Sequence, residues 1–271
     1  MWFILFIFLS VFFYSCGGPD SSSNAVRFSE SSAYGTSATS PDSSSDQLSA
    51  YSEPVEYTTQ FSAYRVSAKK VDTLIIPLYS YPVGQYAQEW EKLYNFRTNK
   101  KVFVIVNVSN GPFTKPDYNF TYAISKLKSK GFYVLGYVYT LYSQRNIDEV
   151  KNDINNWLSF YPNMIDGFFI DEVVNGSYDY YSSIHSYIKS LNNNFYVVLN
   201  PGTVVDSSYW AIADKIVVFE DSYKRFLKYN YTFYSQPSSN VCMIVYAVSN
   251  KGAFYKALSK ALSLNSSCQY I

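Results

Sequence analysis

Histidine and cysteine are scarce: one His and three Cys stand among 271 residues. A single His excludes a His-cluster metal centre, and three Cys cannot furnish a four-thiolate zinc site. Charge is thin too, at 16% of residues, with 22 Lys and Arg against 21 Asp and Glu and no basic run. That balance argues against nucleic-acid binding driven by phosphate neutralisation. No glycine-rich phosphate loop follows the first β-rich run, where Pro77-Leu78-Tyr79-Ser80-Tyr81-Pro82 stands instead. What the chain has in plenty is aromatic and apolar side chains, with 29 Tyr and a hydrophobic fraction of 48%. Such a composition supplies a large core and excludes disorder throughout.

Residues 2–14 form an almost unbroken apolar run that ends at Ser15-Cys16-Gly17-Gly18. The run falls short of the roughly 20 apolar residues of a transmembrane helix but fits the apolar region of a signal peptide. A Cys after the run, flanked by Ser and Gly, resembles a bacterial lipobox. Residues 1–16 are therefore expected to be a signal peptide, with Cys16 the lipidated first residue of the mature protein. Residues 17–56 carry 13 Ser and no apolar cluster and are expected to be a disordered tether. The reading is of a monomer outside the cytoplasm, held to the membrane by its lipid or else secreted, with its folded domain over residues 57–271.

From Val71 onward, short β-rich runs alternate with amphipathic stretches. The runs are Val71–Leu78, Lys101–Val108, Phe132–Tyr139, Ile165–Glu172, Phe195–Asn200, Asp214–Glu220 and Val241–Val248. Their near-continuous apolar character predicts strands buried on both faces, as in a parallel sheet. Helices are predicted over Gln85–Phe96, Tyr118–Lys130, Ile147–Phe160, Tyr178–Leu191, Tyr223–Tyr231 and Lys251–Leu262. Seven such units point to a (β/α)8 TIM-type barrel, with its last element, starting at Cys268, short or truncated.

In such a barrel the carboxyl ends of the strands face the active site. Those ends carry Tyr79, Asn107, Tyr137, Tyr139, Asp171, Glu172, Asn200, Glu220 and Tyr246. Carboxylates do acid, base or nucleophilic work, amides hold hydroxyls and aromatic faces stack on sugar rings; glycosidic-bond cleavage asks for two such acids. Asp171 is read as nucleophile and Glu220 as general acid/base, with Glu172 orienting substrate or tuning Asp171. The remaining Tyr and Asn residues are read as substrate-binding. Asp166, at the start of its strand, belongs to the opposite rim, and His185 lies mid-helix on the outer ring. No cofactor is required, and three acids are few oxygen ligands for a cation. Cys242 and Cys268 stand near the amino ends of adjacent strands; export permits a disulfide there, while free buried Cys is also common in strands.

Six ordered segments, quoted as they stand, carry a family resemblance: Ile76–Pro82, Val104–Asn107 followed by Asn110-Gly111-Pro112, Leu135–Thr140, Asp166–Glu172, Val198–Thr203 and Val217–Glu220. Together they resemble the spherulin-4 (spherulation-specific family 4) proteins over about Thr73 to Tyr223. The resemblance implies a (β/α)8 barrel and a glycoside hydrolase acting on α-1,4-linked galactosamine-containing exopolysaccharide of biofilms. It places the family's adjacent Asp-Glu at Asp171-Glu172 and its later Glu at Glu220. The competing reading is a catalytically idle barrel that binds polysaccharide as a cell-surface adhesion module.

Overall fold

The computed structural model describes residues 70–271; the signal peptide, Cys16 and the tether lie outside the described residues. Eight parallel strands close a barrel in sequence order. They are β1 Thr73–Leu78, β2 Lys101–Val106, β3 Tyr133–Tyr139, β4 Gly167–Asp171, β5 Tyr196–Leu199, β6 Lys215–Ser222, β7 Val241–Tyr246 and β8 Cys268–Tyr270. The helices are α1 Ala87–Asn95, α2 Tyr118–Ser129, α3 Ile147–Phe160, α4 Tyr178–Leu191, α5 Tyr223–Phe226 and α6 Lys251–Ser263. β8 is a stub, yet it closes the ring by pairing Cys268 and Gln269 with Thr73 and Leu74 of β1.

Two predicted helices differ from the structure. The first turn of the stretch from Gln85 is 3-10, over Gly84–Tyr86, before α1 begins. The helix expected over Tyr223–Tyr231 starts at Tyr223 but is cut to four residues, because the chain after Phe226 tightens into turns. Lys228 and Tyr229 there donate to carbonyls only three residues back, those of Arg225 and Phe226. Between β5 and β6 there is only a 3-10 segment, Ser207–Ile212.

Alternation along each strand sorts the side chains. One buried cluster takes a member from every strand, including Ile75, Phe103, Leu135, Phe169, Val198, Val217, Ile244 and Cys268. Only the inner face of a closed ring brings all eight strands together, so this set is the barrel interior. The outer face packs on the helices. Gly136 makes room for this: a Cβ there would stand 2.8 Å from the Trp157 ring, whose Nε1 donates to the Tyr137 carbonyl at 2.9 Å.

The amino end of the barrel is plugged. Lys101 Nζ lies over the rings of Phe103, Tyr133 and Tyr196 and donates to the Tyr196 hydroxyl at 2.9 Å. Lys215 is buried beside it, donating to the Ser239 carbonyl. Desolvation and then the charge of Lys101 lower its pKa to about 8. Asp166 sits at this end as a structural acid, 2.5 Å from Lys128 Nζ and accepting from Val134 N–H at 2.7 Å. These groups fill the amino end of the barrel, opposite the carboxyl ends of the strands.

Cys242 and Cys268 are register partners in β7 and β8 and are joined by a disulfide. Both are fully buried members of the interior cluster.

Candidate active site

The inner register leads straight to the acids. Phe169 faces inward, so Asp171, two residues on, does too; Val198 likewise sends Asn200 inward. Glu220 has the wrong parity to follow Val217 by simple alternation. A bulge corrects it. Val217 pairs with Cys242 and Phe219 with Met243, so Val218 is an extra residue with no partner on β7. Beyond it Glu220 stands opposite Ile244, an interior residue, while Phe219 turns outward against the rings of Phe226 and Tyr229. The Tyr229 hydroxyl donates to the Val218 carbonyl at 3.1 Å, giving the bulged residue a partner.

Asn200 is 4% exposed and joins the two acids. Its Nδ2 donates to Asp171 Oδ1 at 2.6 Å and to Glu220 Oε2 at 2.5 Å. Its Oδ1 accepts from Gly202 N–H at 3.1 Å, which fixes which way the amide faces. Gly202 has φ 62° and carries its carbonyl to Glu220 N–H at 3.3 Å, so this left-handed turn closes around the acid. On the other side Tyr137 Oη donates to Asp171 Oδ2 at 2.6 Å. Tyr79 packs edge-on against Tyr137, their ring centroids 5.6 Å apart.

The two carboxyls share a hollow but not an environment. Burial raises the pKa of Asp171, and donation from Tyr137, from the Glu172 backbone and from Asn200 works against it. Glu220 is raised to about 7 by burial and then by the negative charge of Asp171, with Asn200 as its one opposing hydrogen bond. Asp171, with more donors, is the group that holds the negative charge, and Glu220 the one that holds a proton near neutrality. The nearby phenols stay protonated: burial first and then Asp171 raise both Tyr137 and Tyr79 well above the ordinary tyrosine range. Tyr79 is nonetheless 46% exposed as a residue, so part of it reaches solvent.

The other sequence-read residues take different places. Glu172 stands outside the bridge that Asn200 makes between Asp171 and Glu220. It is left-handed, at φ 56°, and its Oε2 accepts from Leu141 N–H at 3.0 Å. Asn107 lies at the mouth, but its Oδ1 accepts from Gly111 N–H at 3.0 Å and shapes the loop after β2. Tyr139 carries the Arg145 guanidinium over its ring at 4.2 Å. Tyr246 points to the neighbouring rim, where its hydroxyl meets Asp221 Oδ1 at 3.4 Å. There it lines a shallow cleft of about 450 Å³ together with Asp221, Ser222, Lys224, Arg225 and Lys228. His185 sits in α4, its pKa lowered by burial and by Lys189. Sequence reasoning missed Thr140, which is fully buried and whose hydroxyl meets the carbonyls of Asp171 and Glu172. It closes the motif Leu135–Thr140, and a Thr between a strand and a loop was the available signal.

Comparison with known proteins agrees with this architecture. The model of a family described as spherulation-specific family 4 matches residues 73–270. Spherulin-4 of Physarum polycephalum is 36% identical over 162 residues, an alignment that covers 58% of this chain and 47% of that protein. This chain therefore spans about half the length of that relative. The crystal structure of Aspergillus clavatus Sph3 in complex with GalNAc aligns with a TM-score of 0.63 at 26% identity, covering 74% of this chain and 89% of that one. The barrel is glycoside hydrolase-like in fold.

Proposed function

We propose, from the premise that this chain belongs to spherulation-specific family 4, that it is a glycoside hydrolase cleaving α-1,4-linked galactosamine-containing exopolysaccharide within the chain. The observation that carries this reading is the pair of interior acids, Asp171 and Glu220, bridged by one amide nitrogen and set in unequal environments. A polysaccharide-binding barrel has no need of such a pair. The GalNAc bound by Sph3 supports an amino sugar as ligand class.

One oxygen of each acid, Asp171 Oδ1 and Glu220 Oε2, lies within 2.6 Å of Asn200 Nδ2, so these two oxygens are at most about 5 Å apart, a closeness that supports the retaining rather than the inverting course. Asp171, ionised and gripped by Tyr137 and Asn200, attacks the anomeric carbon and forms a glycosyl ester. Glu220 gives its proton to the departing glycosidic oxygen. It then takes a proton from the water that hydrolyses the ester, which returns both groups to their starting states. The apolar run over residues 2–14 and the Cys16 that follows Ser15 support export and lipid anchoring of this enzyme at the cell surface or periplasm.

The test uses purified protein and partly deacetylated α-1,4-linked galactosaminogalactan, following reducing ends and oligosaccharide masses. Glu220→Gln is expected to lower turnover about 10²–10⁴-fold, and Asp171→Asn at least as far, both with an unchanged circular dichroism spectrum. The first product is expected to keep the α configuration by NMR. A folded protein that binds the polymer without releasing oligosaccharides would overturn the enzyme in favour of the binding module.

A further inference from the structure

The loop from β3 to α3 follows a path that no glycine eases. Leu141, Tyr142 and Ser143 have φ of 48°, 54° and 66°, three successive left-handed residues. A residue with a side chain is strained in this conformation, because its Cβ crowds the following carbonyl oxygen. The path persists only where surrounding bonds over-determine it, and here the bonds converge on Glu172. Leu141 N–H donates to its carboxylate at 3.0 Å, and Tyr142 N–H donates to its carbonyl, also at 3.0 Å. Thr140 N–H donates to the Asp171 carbonyl at 3.1 Å. The strained loop is thus stitched to the residue beside the nucleophile.

What the loop displays is an aromatic ring. Tyr142 is 53% exposed, although its hydroxyl, raised in pKa by burial and then by Glu172 and Asp171, feels both carboxylates. The partly exposed Tyr79 packs edge-on to Tyr137, the tyrosine that holds Asp171. Two exposed tyrosines, Tyr79 directly after β1 and Tyr142 in the loop after β3, therefore stand at the carboxyl ends of the strands, Tyr142 bonded through its backbone to the residue that follows Asp171. A pyranose offers an apolar C–H face and a polar edge of hydroxyls, which match the ring and hydroxyl of a tyrosine.

We propose that Tyr142 is a sugar-stacking residue of the cleft and that Glu172 is a positioning residue, its carboxylate holding the left-handed loop in place instead of moving protons. The proposal rests on the glycosidase reading and names a subsite within it.

Kinetics on an α-1,4-linked N-acetylgalactosamine oligosaccharide test it. Tyr142→Ala is expected to raise KM about tenfold with little change in kcat, as removal of a contact made equally in ground and transition states does. Tyr142→Phe keeps the ring and recovers KM. Glu172→Ala is expected to reproduce the KM defect, Glu172→Gln to recover it by again accepting from Leu141 N–H, and the double alanine variant to be no worse than either single one. Both limbs of the pH profile stay in place in Glu172→Gln. A collapse of kcat in Glu172→Gln, matching Asp171→Asn, or loss of one pH limb would make Glu172 a proton-transfer group and overturn the positioning role. An unchanged KM in Tyr142→Ala would remove the stacking role. If the wild type turns over nothing, the glycosidase reading fails by itself, and calorimetry of the same oligosaccharide on wild type and Tyr142→Ala still decides the stacking: equal affinities overturn it.

Discussion

At the scale of single residues, Glu220 ties activity to stability. In the unfolded chain its carboxyl ionises near 4.5, whereas in the barrel it holds its proton up to about 7. Below the lower value both states are protonated and the group is neutral in its effect. Between the two values only the unfolded chain ionises, so the fold loses stability as pH rises, and the loss is complete above the upper value. Glu220→Gln is therefore expected to stabilise the barrel by up to about 3 kcal/mol at around pH 8 and hardly at all near pH 4, read by thermal melts at both. Turnover follows the same titration with a different requirement, because Glu220 must be protonated and Asp171 ionised. The rate is expected to fall as pH rises through about 7. On the acid side it falls as Asp171 gains a proton, at a pH above the ordinary carboxylate value because burial raises that group. A profile flat across neutrality would overturn the assignment of Glu220 as acid.

At the scale of elements, the β6 bulge decides which way the acid points. Inserting one alanine between Phe219 and Glu220 undoes what the bulge achieves: Phe219 keeps its place opposite Met243, the alanine takes the place opposite Ile244, and Glu220 is sent to the outward parity. Turnover is expected to drop to the level of Glu220→Gln, measured by reducing-end release, with urea unfolding to show that the barrel still folds. The strands themselves were legible because both of their faces are apolar, as in Val102–Val106 and Phe168–Ile170. The bulge was not, since Val217-Val218-Phe219 is apolar throughout and carries no glycine to mark a break. Asp171, Asn200 and Glu220 could be read because all three end apolar runs. The hydrogen bonds of Asn107 to Gly111 N–H and of Glu172 to Leu141 N–H could not be read, because a strand-end residue that accepts from its own or a neighbouring loop looks the same in one dimension as one that does not. The left-handed loop was hidden for a related reason: Leu141-Tyr142-Ser143 has ordinary composition, and bonds to residues distant in sequence, Glu172 and Ser177, accompany its backbone path.

At the scale of the whole molecule, the ring depends on its shortest strand. β8 has three residues, yet it must hold both β7 and β1, and the disulfide between Cys242 and Cys268 ties it to one of them across a separation of 26 residues. Replacing both Cys by Ala is expected to cost about 3 kcal/mol and to lower Tm by roughly 6–12 °C for a domain of this size, by calorimetry. The position of the bond has a further consequence. Exchange needs a thiolate in contact with a sulfur, and both sulfurs lie inside a closed wall of strands with no exposure to solvent. No reductant reaches them while the ring is shut, and no oxidant reaches the thiols of a ring that shut before they joined. Oxidation must therefore come before closure, and a chain that closes first stays reduced until it opens again. Afterwards the rate at which an added thiol cleaves the bond counts the openings of the barrel.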